Sequence, residues 1–503
     1  MSLRSFLGRK SSETETVPAG KDTVNVLFAA SECVPFVKTG GLADVVGSLP
    51  QYLDHDRFDV RVMLPGYTCI PEEYRSQMKL LEHFDMDYCG RPCYVGILEL
   101  SLNGITYYFI DNLEYFTGDR PYTDDRYDLE KFCFFSKAVL SSLPVIGFRP
   151  DVIHCHDWQT ALIPVLSKRW GLDEFYASIK TVMTIHNLRF QGVWDIGTVM
   201  YVSELDGGYF TSDKLEAWNQ GNLLKGGIAY ADIVTTVSPT YAAEITGPMG
   251  GEGLDGLLRA RGDRLKGILN GIDYRSYDPV TDESVYRNFD ARMFGAKLAN
   301  KLAFQKEHGL TEDPDALMIG IVSRLTGQKG FDLIRISAED ICSGYTQLVV
   351  LGTGEYQYES MFRELKERHP DSVSVTIGYS EELSRKIYAS CDAFLMPSQF
   401  EPCGLSQLIA MRYGTLPIVR ETGGLKDTVE PYNEFEDTGT GFSFSRYDAG
   451  DMMNIVNYAK NTYHDHHDAW VRMAKRAMSQ DFSWESSARH YEDVYRGLTT
   501  DDE

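Results

Sequence analysis

The sequence predicts an α/β protein made of two doubly wound, Rossmann-like domains that face each other across a cleft. Short, continuous apolar runs bounded by Gly, Pro or Asn alternate with amphipathic stretches, a pattern typical of parallel strands buried on both faces by helices. The same pattern restarts in the second half of the chain. With 503 residues, 43% of them hydrophobic, the chain is too long for one core and apolar enough to fill two.

The apolar runs that we predict to be strands fall into two sets. Those of the first half are NVLFAA from Asn25, VRVMLP from Val60, DVIHC from Asp151, KTVMTI from Lys180 and ADIVTTV from Ala231. Those of the second half are LMIGIV from Leu317, QLVVLG from Gln347, SVSVTI from Ser372, DAFLMP from Asp392 and LPIVRE from Leu416. Each set predicts one parallel sheet with helices between successive strands.

The domain boundaries follow from these two sets. We expect the first domain over residues 22–267 and the second over residues 268–482, with the change at the ILNGID turn that starts at Ile268. Residues 483–503 are predicted to form a helix that packs back on the first domain. Residues 1–21 are polar and lack the apolar core of a signal peptide, so we expect a disordered tail, with a short transit peptide as the alternative.

One short sequence is repeated, once in each half of the chain. KTGGLADVVGSLP from Lys38 and ETGGLKDTVEPY from Glu421 both place T-G-G-L at the predicted start of a helix. Ligands of open parallel sheets bind outside the carboxyl ends of the strands. We therefore expect the ligand between two facing domains, which swing together for the reaction because each supplies half of the site.

The charge of the chain limits the classes of partner. Acidic residues outnumber basic ones by 73 to 49, which gives a net charge of −24. A field of this sign repels nucleic acids and anionic membranes, so we expect neither as a partner. An anionic substrate would need a local cluster of cations, which makes Lys and Arg in glycine-rich loops informative.

The nine cysteines are scattered and odd in number, and no paired C-x-x-C motifs mark a zinc site. Cys89 and Cys93, four residues apart, are only a weak metal candidate. Scattered cysteines of this kind indicate a reduced, cytoplasmic protein. No apolar run reaches the roughly 18 residues that would span a bilayer.

The first candidate ligand loop follows the strand NVLFAA. Gly40 and Gly41 precede a helix predicted to begin near Leu42, and glycines at a helix N-terminus let backbone N–H groups approach a phosphate. Lys38 adds a mobile positive charge that could pair with a pyrophosphate oxygen. The alternative is a tight turn with a solvated lysine.

Two more strand ends in the first half carry polar side chains. His156 and Asp157 follow the strand DVIHC, where they could contact a ligand or cap the next helix. His186 and Asn187 follow the strand KTVMTI, and a neutral imidazole there could hydrogen-bond a sugar hydroxyl. Each pair alone is a weak signal.

The second half offers two cations and a carboxylate. Arg324 and Lys329 lie between a strand end and a helix start, where they would neutralise the distal phosphate of a leaving nucleoside diphosphate, unless they are simple surface charges. Glu401 lies in a turn, where it could bind sugar hydroxyls or balance an oxocarbenium-like centre, unless it caps the next helix. Cys403, Gly404 and Leu405 are predicted to open that helix. No base partners Cys403 in the sequence, so a nucleophile role is disfavoured against packing or substrate contact.

These motifs disfavour two other functions. A nicotinamide dehydrogenase would need G-x-G-x-x-G, but the turn from Gly352 and Gly354 has Gln357 where the third glycine is required. A non-catalytic glucan- or nucleotide-binding regulator would have lost Glu401, Lys329 or Arg324, and all three are present.

Together, these segments resemble the family of bacterial glycogen synthases and plant starch synthases, over roughly residues 24–495. The matching motifs occur in the family's order: KTGGLADV from Lys38, HDW from His156, TIHN from Thr184, KGGI from Lys225, NGID from Asn270, SRLTGQKG from Ser323, GYS from Gly378, EPCGLSQ from Glu401 and TGGL from Thr422. The resemblance implies a GT-B-type, retaining glycosyltransferase without metal or organic cofactor. It also implies a nucleotide-sugar donor and an α-glucan acceptor.

The resemblance also implies roles for individual residues. Lys38, Gly40 and Gly41 would lie by the acceptor and the diphosphate, His186 and Asp157 would hold the donor glucose, and Arg324 and Lys329 would bind the diphosphate. Glu401 would hold the glucose, and Tyr379 would stack on the nucleobase. Further substrate contacts are expected from Asn270, from Cys403, Gly404 and Leu405, and from Thr422, Gly423 and Gly424.

The resemblance therefore predicts transfer of glucose from ADP-glucose to the non-reducing end of an α-1,4-glucan. A UDP-glucose-dependent synthase on the same fold is the alternative, and base selectivity would come from contacts around Tyr379. The oligomeric state does not follow from the sequence.

Overall fold

The computed structural model describes residues 23–123 and 126–500, so the predicted tail of residues 1–21 lies outside the described residues. The strands are β1 Val24–Ala29, β2 Phe58–Pro65, β3 Lys79–Tyr88, β4 Arg91–Leu102, β5 Ile105–Asp111, β6 Val152–His156, β7 Lys180–Ile185, β8 Val193–Asp195, β9 Glu216–Ala217, β10 Gln220–Asn222, β11 Ile233–Thr236, β12 Leu265–Gly267, β13 Leu317–Val322, β14 Thr346–Gly352, β15 Val373–Ile377, β16 Ala393–Met396, β17 Leu416–Arg420 and β18 Phe442–Phe444.

The α-helices are α1 Gly41–Tyr52, α2 Glu72–Arg75, α3 Arg126–Val145, α4 Leu162–Trp170, α5 Ile196–Ser203, α6 Leu223–Tyr230, α7 Pro239–Glu244, α8 Asp255–Arg261, α9 Ala296–Glu307, α10 Phe331–Cys342, α11 Tyr356–Arg368, α12 Glu381–Ser390, α13 Ser406–Arg412, α14 Gly423–Thr428, α15 Ala449–Asp465, α16 His467–Met478 and α17 Trp484–Thr499. Across the described residues, no helix is both long enough and apolar enough to cross a bilayer.

The first half of the chain forms a nine-stranded sheet in the order β12-β11-β7-β6-β1-β2-β5-β4-β3. The strands β11, β7, β6, β1 and β2 pair in parallel, as the continuous apolar runs predicted. β12 and β5, which no predicted run covers, extend the parallel part on either side. β3 and β4 extend this sheet with antiparallel pairing, which the sequence analysis missed. Exposed residues along most of β3 explain the miss, because an edge strand has no continuous apolar run.

The second half forms a six-stranded parallel sheet in the order β15-β14-β13-β16-β17-β18. All five apolar runs predicted in this half are strands of it, namely β13, β14, β15, β16 and β17. The α/β prediction with two parallel-sheet, Rossmann-like units is confirmed.

Each sheet has a point where its strand order reverses. In the first sheet, β1 lies between β2 and β6, and in the second, β13 lies between β14 and β16. At this point, the connections that follow two neighbouring strands run on opposite faces of the sheet. A crevice therefore opens between these connections at the carboxyl ends of the strands. The loops after β1 and β6, and those after β13 and β16, therefore line the two crevices.

The last helix belongs to the core around the first sheet. Trp484, Tyr491 and Tyr495 of α17 are fully buried in the same apolar cluster as β1 and β6. The hydroxyl of Tyr495 hydrogen-bonds Nδ1 of the buried His154, with 2.7 Å between the two atoms. The chain thus crosses to the second sheet and returns to the first at its C-terminal end.

Candidate active site

Glu32 organises the loop between β1 and α1. Its buried carboxylate accepts hydrogen bonds from the backbone N–H groups of Thr39 and Gly40 and from the hydroxyls of Thr39 and Tyr122. Burial raises the pKa of Glu32, and these hydrogen bonds oppose the rise. The N–H of Gly40, which could have met a phosphate, is therefore used within the protein.

Lys38 lies at the mouth of this loop and is paired. Its Nζ lies 2.7 Å from Oδ1 of Asp44, on the first turn of α1, and its side chain is 41% exposed. Burial lowers and Asp44 raises the pKa of Lys38, with a net rise to which Tyr379 and Glu381 of the second half also contribute. Lys38 therefore lies close to the residues opposite it across the cleft.

Asp157 and His186 are held together at the ends of β6 and β7. The Asp157 carboxylate accepts a hydrogen bond of 2.7 Å from the backbone N–H of His186. Asp157 has a φ of 55°, so its side chain turns away from the following 3₁₀ turn and does not cap it. Burial raises the pKa of Asp157 to about 7, and the N–H groups of His186 and Asn187 oppose that rise.

A row of imidazoles leads from the core to His186. Nδ1 of His156 lies 3.0 Å from Nε2 of His186, and His154 lies beside His156 with 4.3 Å between ring centroids. Burial lowers the pKa of His154 and of His186 to about 3, and that of His156 well below its usual value. All three rings are therefore neutral at pH 7, and His186 can exchange hydrogen bonds with a hydroxyl without adding charge.

Arg324 and Lys329 differ in their partners. Arg324 is exposed after β13 and has no ion-pair partner in residues 23–123 and 126–500. Lys329 forms an ion pair with Glu401, whose two oxygens lie 2.9 and 2.7 Å from Nζ, and Ser398 donates to the same carboxylate. The alternative of a helix-capping Glu401 is wrong, because these two residues occupy its carboxylate.

The loop after Glu401 begins its helix later than predicted. Cys403, Gly404 and Leu405 precede α13, which starts at Ser406. Gly404 has a φ of 74°, which a right-handed helix cannot contain, so the prediction that these residues open the helix is wrong. In contrast, α1 begins at Gly41, one residue before the predicted start.

Two glycines of the second T-G-G-L sequence pack directly against this loop. A β-carbon at Gly423 would lie 2.0 Å from the backbone oxygen of Glu401, and one at Gly424 would lie 2.0 Å from that of Cys403. The N–H of Gly424 donates to the backbone oxygens of Glu401 and Pro402. These glycines therefore set the position of Glu401.

Asn270 and Cys403 lie together behind the site. The buried Cys403 thiol accepts from the backbone N–H of Asn270, and burial raises the pKa of this thiol to about 12. A protonated, buried thiol is a poor nucleophile, which agrees with the packing role. Oδ1 of Asn270 is buried and lacks a hydrogen-bond partner among the described residues.

Tyr379 is exposed to solvent. Its side chain is 79% exposed in the loop between β15 and α12. An exposed ring beside a cleft has a free face on which a planar group can stack.

The two halves of the site are in contact across the cleft. The carboxylate of Glu244, at the end of α7, accepts from the hydroxyl of Thr422 and the N–H of Gly423, each at 3.0 Å. One turn away, Asp427 of α14 accepts from the N–H and hydroxyl of Thr240. A β-carbon at Gly41 would lie 3.9 Å from Cδ1 of Leu405.

Several of these residues escaped the sequence analysis. Glu32, Ser398 and Glu244 hydrogen-bond predicted site residues, and none of the three lies in a pattern that marks chemistry. Tyr122 and Asp427, which bond Glu32 and Thr240, were missed for the same reason. Glu32 alone had a local signal, because a carboxylate at a strand end, just before a glycine-rich loop, commonly accepts backbone N–H groups.

The arrangement places the neutral His186 on one side and a cluster of charged side chains on the other. His186 and Asp157 come from the first sheet, and Arg324, Lys329 and Glu401 come from the second. Such a cleft suits a ligand with an uncharged polar end and an anionic part.

Comparison with known proteins gives consistent matches over most of the chain. Residues 25–260 match the protein family described as the starch synthase catalytic domain, and residues 304–477 match glycosyl transferases group 1. A glycogen synthase of Lachnospira eligens is 60% identical over 476 residues, which cover 94% of this chain and 100% of that relative. One from Lachnoclostridium phytofermentans is 56% identical, covering 94% of this chain and 99% of that relative.

Solved structures agree. The catalytic domain of starch synthase IV from Arabidopsis thaliana, bound to ADP and acarbose, superposes with a TM-score of 0.88 at 33% sequence identity, covering 95% of this chain and 99% of that chain. A sucrose-phosphate synthase from Thermosynechococcus elongatus has a TM-score of 0.60 at 18% identity, covering 94% of this chain and 99% of that chain. The latter similarity concerns the fold alone.

Proposed function

The chain belongs to the glycogen and starch synthase family of retaining glucosyltransferases, and from this premise we propose that it uses ADP-glucose to extend α-1,4-glucans. The observation that carries the proposal is the pair of Lys329 and Glu401, with Arg324 nearby in the same loop as Lys329. In a sugar nucleotide, the glucose and the distal phosphate are joined by one bond. A cation and a carboxylate in direct contact can therefore hold the two groups on either side of that bond.

The roles of the second-half residues follow from the charge that develops in the reaction. As the bond between the anomeric carbon and the phosphate oxygen breaks, negative charge grows on the diphosphate and positive charge on the sugar ring. Arg324 and Lys329 stabilise the diphosphate, while Glu401 binds glucose hydroxyls. Thr422, Gly423, Gly424 and Asn270 line the donor site next to them.

The first-half residues hold the sugar and the acceptor. Neutral His186 hydrogen-bonds a glucose hydroxyl, and Asp157 fixes the backbone of His186 through its N–H. Lys38, with Gly40 and Gly41, lies at the acceptor side of the diphosphate. The acceptor's 4-hydroxyl attacks the anomeric carbon on the face that the phosphate leaves, and its proton passes to the leaving phosphate oxygen, which keeps the α configuration.

ADP-glucose is proposed as the donor for two reasons. The catalytic domain of the Arabidopsis starch synthase IV, which matches 95% of this chain, carries ADP in its solved structure. The exposed Tyr379 ring, in the loop between β15 and α12, offers a stacking surface for adenine. UDP-glucose is the second candidate, because a stacking ring alone accepts either base.

A cytoplasmic location is proposed with this function. All nine cysteines are unpaired, including Cys69, Cys89 and Cys342, which are only partly buried. Proteins of oxidising compartments usually pair such thiols.

The experiment that tests the function is a transfer assay with defined product analysis. Purified enzyme, ADP-glucose and maltoheptaose should give products longer by whole glucose units, with α-1,4 linkages by NMR. A Glu401→Ala variant, which leaves Lys329 unpaired, serves as the inactive control. Failure of the wild-type enzyme to extend the acceptor with any glucose nucleotide would favour the regulator hypothesis.

A further inference from the structure

Trp218 is the one tryptophan of the six that is strongly exposed, and all six lie within the described residues. Its side chain is 81% accessible, whereas Trp158, Trp470 and Trp484 are buried and the other two are half-buried. A tryptophan left in water forgoes the burial of a large apolar surface. A single exposed aromatic side chain is common on protein surfaces, so its backbone and its neighbours decide whether it marks a binding surface.

The backbone holds this ring in an unusual place. Trp218 and Asn219 form the two-residue turn between β9 and β10, and both have left-handed conformations, with φ of 57° and 61°. Turns of this kind favour Asn-Gly, because a bulky side chain in the left-handed region crowds its own backbone. The hairpin would form more easily with a smaller residue at position 218, so the ring is kept at a cost to the fold.

The hairpin is attached to the loop that carries His186. Gln191, five residues after His186, donates from Nε2 to the backbone oxygen of Glu252 and accepts at Oε1 from Asn222 of β10. The next residue, Gly253, lies against the indole, since a β-carbon there would lie 3.1 Å from Nε1 of Trp218. Trp218 is thus fixed to the first-sheet side of the site.

A second exposed ring belongs to the loop that carries His186. Phe190 is 53% exposed and directly precedes Gln191 in the same loop. We call Phe190 and Trp218 the aromatic edge. It runs from the loop of His186 to the tip of the hairpin, and both rings belong to the half of the site assigned to the acceptor.

We propose that the aromatic edge binds the α-1,4-glucan acceptor away from its reacting end, with glucose rings stacked on Trp218 and Phe190. The C–H faces of a pyranose ring are apolar, so they bury well against indole and phenyl faces while the hydroxyls stay in water. This inference rests on the proposed function, because that function supplies a polymeric sugar as acceptor.

The charge of the chain favours a neutral occupant. A glucan carries no charge, so the net charge of −24 does not oppose its binding. A second copy of this chain would bring the same negative charge to the contact. Self-association through the aromatic edge is therefore the less favoured occupant.

Glucan binding at the aromatic edge predicts a specific kinetic effect. Long acceptors reach the aromatic edge and short ones do not, so loss of the Trp218 ring should affect long acceptors alone. We expect Trp218→Ala to raise the KM for glycogen by about tenfold, as for the loss of one aromatic anchor. The kcat, the KM for the sugar nucleotide and the rate with maltotriose should stay within about twofold.

Two variants control for effects of the substitution itself. Trp218→Phe keeps an aromatic face and should retain most of the glycogen affinity. Tyr345→Ala is the matched control, because Tyr345 is also an exposed aromatic with a positive φ, but it precedes β14, at the opposite end of the second sheet from the site. It should leave the KM for glycogen unchanged.

A binding measurement without donor tests the aromatic edge independently of catalysis. Iodide should quench mainly Trp218 in the free enzyme, and maltoheptaose should protect the emission from iodide. Protection in an enzyme that fails to transfer glucose would support glucan binding at the aromatic edge even though the proposed function fails. No protection, together with an unchanged KM for glycogen in Trp218→Ala, would overturn glucan binding at the aromatic edge. A concentration-dependent dimer that Trp218→Ala abolishes, with no change in glycogen KM, would instead assign the edge to self-association and also overturn it.

Discussion

Nζ of Lys329 lies 2.7 Å from one carboxylate oxygen of Glu401 and 2.9 Å from the other, although the two residues are 72 positions apart. The side chains are 18% and 8% exposed, so the pair is largely removed from water. Each charge compensates the other while the donor is away, and loss of one leaves the other poorly solvated. Their motifs predicted separate roles for the two residues, and the ion pair shows that both belong to one part of the site.

Lys329→Ala should lower kcat by about 100- to 10,000-fold, with a smaller change in the KM for donor, because it removes a charge that acts mainly on the leaving diphosphate. Steady-state rates at saturating glycogen measure the effect. Lys475→Ala, at an exposed lysine on α16, is the control and should leave kcat unchanged. A near-normal kcat for Lys329→Ala would refute the diphosphate role.

Arg324→Ala should also lower kcat by about 100- to 10,000-fold, since an exposed guanidinium without an ion-pair partner among the described residues is free to bind the diphosphate. Unlike the loss of Lys329, this change leaves no buried charge behind. We therefore expect the melting temperature of Arg324→Ala to equal that of the wild type. A stable variant with full kcat at saturating donor would show that Arg324 is only a surface charge.

Asp157→Asn should separate stability from activity in a pH-dependent way. Because the folded-state pKa of Asp157 is raised to about 7, the folded protein binds more protons than the unfolded chain between about pH 4 and 7. Ionisation of Asp157 therefore destabilises the fold as pH rises through this window. Asparagine keeps an acceptor for the His186 N–H without the charge.

Melting temperatures of the wild type and Asp157→Asn at pH 5 and pH 8 measure this effect. The variant should be the more stable protein at pH 8, by at most about 4 kcal/mol, and the difference should shrink at pH 5. The variant should nevertheless lose activity at pH 5 and at pH 8, because the resemblance assigns the Asp157 carboxylate itself to holding the donor glucose. Asp56→Asn, at an exposed position, controls for the removal of one charge from an acidic protein. A variant less stable than the wild type at pH 8 would contradict the raised pKa.

Domain closure should depend on the link between α7 and α14. Glu244 bonds Thr422 and Gly423, and Asp427 bonds Thr240, so these carboxylates tie the two halves together. In small-angle scattering, ADP with a maltooligosaccharide should reduce the radius of gyration of the wild type. The Glu244→Ala, Asp427→Ala double variant should contract less and have a higher KM for donor. An unchanged radius in the wild type, with activity confirmed in the same sample, would favour a rigid site.

The fold was largely predictable from local patterns. Continuous apolar runs identified the central strands, such as β1 and β13, because strands buried on both faces must be apolar along their length. The strands β3 to β5, β8 to β10, β12 and β18 were missed. The edge strand β3 and the short strands β8 to β10 consist largely of polar or exposed residues, so only their partners in space make them strands.

The site was predictable only where chemistry and loop position coincide. Lys329 and Glu401 stood out as charges beside strand ends and glycines. Glu244 did not, because its partner Thr422 is 178 residues away and nothing in α7 marks the contact. The bond between His154 and Tyr495 spans 341 residues and likewise depends on how α17 packs.

The most direct test of the proposed reaction is a comparison of donors. The kcat/KM for ADP-glucose and for UDP-glucose is measured at saturating glycogen, with Tyr379→Ala assayed beside the wild type. We expect ADP-glucose to be preferred by at least about tenfold, and Tyr379→Ala to lose most of its affinity for ADP-glucose. A higher kcat/KM with UDP-glucose would contradict the account of the donor site.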